Sequence, residues 1–149
     1  MLIFTRQGNF DNLIAGIGDD VLVRARLLSR AVTGIYDDEL RPFGIGAVQF
    51  TLLAVIGRTG PTTRAEIARH QHLDKSTLTR NLKAILSEGW VKEVSADDRT
   101  RPLALTAAGK EVLIRAQPAW LAAQARAKAL LGNDGMTAVM NIADRILNA

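Results

Sequence analysis

Between Thr63 and Leu105 the chain switches its apolar spacing once and carries a start or stop signal at nearly every step. This stretch restricts the fold more than any other. Thr63 and Glu66 have capping-box spacing, in which each side chain serves the other's orphan backbone donor, and this predicts a short helix over about 64–70. A turn through Gln71, His72 and Leu73 leads to Asp74, a good N-cap for a second helix running to about Glu88. Gly89 supplies the left-handed residue that commonly stops a helix. Beyond it, Trp90 to Ser95 reads as a strand, Ala96 to Pro102 as a polar loop and Leu103 to Leu105 as a return strand, together a hairpin.

The flanking regions read as helical. Val21, Ala25, Leu28, Val32 and Ile35 recur at steps of three and four from Asp19 to about Leu40, where Pro42 ends the run. A further helix covers about 47–58, with Phe50, Leu53, Ala54 and Ile56, and Gly60-Pro61 closes it. After the hairpin, a long helix from Thr106 to about Leu131 is expected to bend at Pro118, which removes an internal hydrogen bond. A turn at Gly132-Asn133-Asp134 then leads to a last helix with Met136, Val139, Met140, Ala143, Ile146 and Leu147 on one stripe. The apolar pieces of residues 1–20 are broken by Arg6, Gly8, Asn9 and Asp11. This excludes a signal peptide or a membrane span and suggests a loose arm or a packing segment of a dimer.

The expected fold is mainly α with a small β-hairpin wing, a winged helix-turn-helix with N- and C-terminal dimerisation helices. Residues 1–42 form an N-terminal arm and dimerisation helix, 43–106 the winged helix-turn-helix, and 107–149 the C-terminal dimerisation helices. The helices at the ends carry more apolar surface than so small a head can cover. Leu113, Ala116, Trp120, Ala123, Ala127 and Leu130 form a seam whose natural fate is mutual burial by two chains, an intramolecular helical hairpin being the other outcome.

On the helix from Asp74 to Glu88, Leu78, Leu82, Ile85 and Leu86 cluster within about 100°. The opposite face carries Ser76, Arg80, Lys83 and Ser87, flanked by Lys75, Thr77 and Thr79. Such a set suits a major groove: arginine forks onto guanine, hydroxyls reach bases or phosphates, and Lys83 pairs with the backbone. An ordinary amphipathic helix with a solvated polar face gives the same pattern, and only the adjoining turn and charged hairpin favour DNA. At the hairpin tip, Arg99 or Arg101 can enter a narrow minor groove. Asp97 makes sense there if it holds an arginine in place by a charge-assisted hydrogen bond. The excess of 19 lysines and arginines over 15 acidic residues, a net charge of +4, fits a polyanionic partner without demanding one.

These features together resemble the MarR family of bacterial transcriptional regulators, from about Leu40 to Gly109. The resemblance is carried by Gly89-Trp90-Val91, then Asp97-x-Arg99, then Leu105-Thr106-x-x-Gly109. Upstream it rests on Asp74-Lys75-Ser76-Thr77-Leu78-Thr79-Arg80, Phe43-Gly44-Ile45 and Gln49-Phe50-x-x-Leu53, and downstream on Gln117-Pro118-Ala119-Trp120. It implies a two-fold dimer with interlocked terminal helices and recognition helices in successive major grooves of a pseudo-palindrome. It makes Arg99 the minor-groove arginine, Asp97 its positioning partner and Arg101 an additional wing cation. It further implies repression relieved by small, often aromatic or phenolic, acids. Pro102 departs from the family pattern where the returning wing strand begins.

Other classes find little support. The chain has no cysteine, so thiol nucleophiles, thiolate zinc sites and thiol-based peroxide sensing are excluded, and a cytoplasmic location is compatible. His70 and His72 lack the further ligands that a metal site requires, and no cofactor is expected. No glycine-rich phosphate loop, nucleophile elbow or metal-hydrolase helix is present, so an enzyme is not expected. Arg24, Arg26, Arg30 and Arg41 read as solvated cations, and no effector residue is identified. The remaining alternative is a winged-helix protein-interaction module without DNA binding, although such a face would more often expose aromatic anchors.

Overall fold

The computed structural model describes residues 4–94 and 99–149, and the contacts divide the chain into two units, Met1–Gly34 and Ile35–Ala149. In the first unit, α1 (Phe4–Gly16) forms where a loose arm was one expectation, followed by a 3-10 turn (Ile17–Asp19) and the start of α2 (Val21–Leu40). Asp20 begins α2 by accepting from the backbone N–H groups of Leu22 (2.9 Å) and Val23 (3.4 Å). Phe10, Leu13, Ile14 and Ile17, and then Val21, Leu22 and Leu27, are all exposed.

The second unit holds the end of α2, then α3 (Ala47–Thr59), α4 (Arg64–Gln71), α5 (Lys75–Ser87), β1 (Val91–Glu93), β2 (Leu103–Leu105) and α6 (Ala107–Leu147). Helix α3 starts where Asp37 accepts from the Ala47 N–H at 2.7 Å, placing a carboxylate at the positive end of the helix dipole. At α4 the Thr63 hydroxyl accepts from the Glu66 N–H as its spacing predicts (3.2 Å). The Glu66 carboxylate, however, accepts from the Thr62 hydroxyl (3.0 Å). Thr62 is buried and its hydroxyl needs a partner, so only half of the capping box forms. Asp74 caps α5 by accepting from the Thr77 N–H at 2.6 Å.

The hairpin is antiparallel, pairing Val91 with Leu105, Lys92 with Ala104 and Glu93 with Leu103. Its first strand runs Val91–Glu93, and Ser95, the expected end, lies outside the described residues. Val94 still donates to the Pro102 carbonyl at 2.7 Å, but Pro102 has no N–H to return. Thr62 adds a bridge on the other side of Leu103, exchanging backbone bonds of 2.8 and 3.0 Å, and so ties the wing to the start of α4.

Helix α6 departs from expectation in two ways. Helical dihedrals run through Pro118, where a bend was expected, while the turn expected at Gly132 is present, at φ 69° and ψ 176°. Pro118 lies on the exposed side, where water can serve the carbonyl it leaves unpaired, whereas Gly132 reaches left-handed φ at no steric cost. The seam expected to await a second chain is also largely used at home. Ala116, Ala123 and Ala127 are buried within the single chain, and Leu113 and Trp120 are half-buried against its core. Of that set Leu130 is exposed, together with Ile114 and Leu121 elsewhere on the helix. Alanines permit close approach of any neighbour, and here the chain's own body takes the place.

The core is closed by Leu40, Leu52, Leu53, Ile56, Ile67, Ile85 and Leu103, all fully buried and drawn from α2 to β2. Trp120 stacks on Phe50 (ring centroids 4.5 Å apart, planes 13°) and meets Tyr36 at 4.6 Å. The hairpin joins α6 through a tight corner. The Thr106 N–H donates to the Trp90 carbonyl (3.0 Å), and the Thr106 hydroxyl donates to the Gly89 carbonyl (2.6 Å) while accepting from the Gly109 N–H (3.1 Å). A Cβ on Gly109 would run into the Trp90 carbonyl oxygen, a backbone atom that cannot swing away. Among the described residues no single helix is long and apolar enough to cross a membrane.

Two outcomes follow for stability. Gly109→Ala should destabilise the fold by about 1–3 kcal/mol, the usual penalty of forced overpacking, and an unchanged denaturation midpoint would show that the corner yields freely. The Asp74 carboxyl is held below its ordinary value chiefly by the Thr77 backbone N–H, with help from the Thr77 hydroxyl. A lowered folded-state value means stability that is present above the unfolded value near 3.8 and is lost as pH falls through the folded one. Asp74→Ala should therefore lower the melting temperature at pH 7, and its gap to the native protein should close as pH drops below the ordinary carboxylate range.

Candidate nucleic-acid interface

Helix α5 is divided lengthwise by burial. Leu78, Leu82 and Ile85 are buried in the core and Leu86 is half-buried. This fixes the rotation of the helix, and Lys75, Ser76, Thr79, Arg80 and Lys83 consequently face outward and are exposed. Thr77 differs from the rest of the expected set: it is half-buried, and both its N–H and its hydroxyl engage the Asp74 carboxylate. Its first duty is to the cap. Asn81, also half-buried, donates to the Thr77 carbonyl at 2.8 Å. Between α4 and α5 lies a cavity of about 680 Å³ with leucines in its wall and Lys75 and Lys83 at its edge.

The wing places its cations at the side of α4. Arg99 and Arg101 line one cleft of about 590 Å³ with Thr63 and Arg64, where α4 begins. Arg101 has left-handed backbone, φ 40°, a conformation that costs a non-glycine residue free energy. Asp97, expected to position a wing arginine, lies outside the described residues.

Arg64 and Glu93 were missed by the reading of the sequence. Arg64 donates from Nη2 to Glu93 Oε1 at 2.7 Å and from Nη1 to the Arg101 carbonyl at 3.2 Å. The only sequence hint was Pro102, whose missing donor leaves the returning strand in need of another tie. His72 caps α4 in left-handed conformation, φ 50°, and His70 lies in the last turn of the same helix, so both belong to the helix-helix turn. Among the described residues no three His, Cys, Asp or Glu side chains are grouped so as to hold a metal ion.

Comparison with known proteins agrees with this geometry. Residues 43–100 match the model of the MarR family. An HTH-type transcriptional regulator of Bacillus subtilis strain 168, YwoH, is 29 % identical over 79 residues, 53 % of this chain, and the chain spans about half (55 %) of that curated relative's length. The crystal structure of the M. tuberculosis transcriptional regulator MosR in complex with DNA is 33 % identical, covers 84 % of this chain and 92 % of its own, and superposes with a TM-score of 0.73. The transcriptional repressor CouR bound to p-coumaroyl-CoA, at 19 % identity, shares the fold with a TM-score of 0.76 over 88 % of this chain and 94 % of its own. With its two-stranded wing beside the α4–α5 pair, this chain is a winged helix-turn-helix protein and belongs to the MarR family.

Proposed function

We propose that this MarR-family regulator binds a pseudo-palindromic DNA duplex as a homodimer, represses transcription there, and releases the DNA when a small aromatic or phenolic acid binds. The observation that carries this reading is the exposed cationic row of α5, held outward by the burial of its opposite face. In a major groove Arg80 reads base edges, Ser76 and Thr79 reach bases or phosphates, and Lys75 and Lys83 neutralise the backbone. Thr77 contributes chiefly by holding the N-cap that aims this helix end at a phosphate. Arg99 enters the minor groove with Asp97 as its positioning partner, and Arg101 adds a wing cation. The structure of MosR with DNA supports a DNA-binding role, which makes a protein-interaction module without DNA binding the weaker reading.

Residues 43–106 form the reading head, and 1–42 and 107–149 carry the dimer contacts. Support for a dimer comes from the exposed apolar side chains of the first unit and from Ile142, Ile146 and Leu147 near the chain end. Effector binding is supported by a cavity of about 220 Å³ lined by Phe50, Val55, Trp120 and Arg58, which offers aromatic walls and one cation to an aromatic carboxylate. CouR is bound to p-coumaroyl-CoA, whose phenolic ring is of the kind such aromatic walls would take. The protein works in the cytoplasm, where the DNA lies, and as a regulator rather than an enzyme.

Measured with a duplex selected from random sequence, affinity should fall steeply with salt as bound cations are released. Arg80→Ala should cost about 1–3 kcal/mol and relax base preference at one position per half-site. A uniform loss across sequences would reduce Arg80 to a phosphate contact, and salt-independent binding would remove the electrostatic reading altogether.

A further inference from the structure

We infer that Arg64 and Glu93 form a positioning pair for the wing, setting where Arg101 meets DNA without reading DNA themselves; this rests on the DNA-binding reading above. The returning wing strand has a defect built into it. Pro102 lacks the N–H through which a ladder would continue, and the residue before it, Arg101, adopts left-handed backbone at φ 40°. Among the described residues the last backbone tie on that strand is Val94 donating to the Pro102 carbonyl, at 2.7 Å. Arg64 supplies what the ladder cannot. One arm of its guanidinium takes the Arg101 carbonyl (3.2 Å) and the other takes Glu93 Oε1 (2.7 Å), so a single planar group joins β1 and the loop just before β2 to the first residue of α4.

The remaining Glu93 oxygen, Oε2, lies 3.9 Å from the Arg101 guanidinium. One carboxylate therefore anchors Arg64 and marks the direction of the Arg101 side chain. All three groups are substantially exposed, with side-chain exposures of 41 %, 37 % and 64 % for Arg64, Glu93 and Arg101. Ion pairs so exposed add little to folding stability. What this one fixes is local geometry, one bond beyond the Thr62–Leu103 bridge that already fastens the wing to the same corner.

The sign of one substitution separates this role from plain electrostatics. Glu93→Gln removes a negative charge beside a polyanion, and charge alone predicts tighter DNA binding. A positioning role predicts the reverse. With a duplex selected by the native protein, Glu93→Gln should weaken affinity about fivefold, leave the melting temperature nearly unchanged, and lower the steepness of the salt dependence by about one released ion as Arg101 loses its phosphate. Arg101→Ala should weaken the native protein clearly and the Glu93→Gln protein by less than about twofold, because coupled residues do not add. Arg64→Ala should show the same coupling to Arg101→Ala. Tighter binding by Glu93→Gln, or equal costs of Arg101→Ala in both backgrounds, would overturn the inference alone. A native protein that retains no duplex would overturn the DNA-binding reading and this inference with it.

Discussion

The rotation of α5 about its own axis is the constraint on which the rest of the molecule depends. Leu78, Leu82 and Ile85 are buried in the core, where α5 packs on α3 and β1, so the helix has one way to lie. Its outward row of Lys75, Ser76, Thr79, Arg80 and Lys83 follows from that commitment. A polar face on a free helix would present these groups in every direction, and its interaction with a groove would carry the entropy of choosing one. Here the choice is made during folding, and the hydrophobic burial that stabilises the domain also orients the cations.

The wing needs a comparable constraint, because two strands of three residues do not hold themselves in place. It is fastened at both ends. At its base, Thr106 bonds to the carbonyls of Gly89 and Trp90, and the bare Gly109 backbone lets α6 close over that corner. On its flank, Thr62 pairs with Leu103 while Arg64 spans Glu93 and the Arg101 carbonyl. The family motif Leu105-Thr106-x-x-Gly109 is thus a statement about sterics: a capping hydroxyl, and a position where no side chain fits.

Much of this was legible in the sequence because it is local. Thr63, Asp74 and Thr106 cap helices with bonds to the N–H three residues on, and Gly89 turns the chain one step beyond the C-cap of α5. The alternating apolar and cationic faces of α5 were likewise written in its period. Decisions between distant residues were hidden. Arg64 and Arg101 are 37 positions apart, and Pro102 signals only that a tie is missing, not which residue supplies it. Glu66 had two threonines within reach, and burial of Thr62 settled which one its carboxylate served. The alanine seam of α6 suits an internal neighbour as well as an external one, so periodicity could not say which face a second chain would meet. The break at Gly132 was legible from its turn residues, whereas helical dihedrals continue through Pro118, where a bend was expected.

The proposed function requires two copies of α5 to lie in successive major grooves on one side of a duplex. Hydroxyl-radical footprinting of the native protein on a duplex it has itself selected tests this directly. The expected pattern is two protected tracts centred about one helical turn, roughly 10 base pairs, apart, with flanking protection where the wings reach the minor groove. A single tract of one half-site, or unbroken protection with no helical phase, would contradict it.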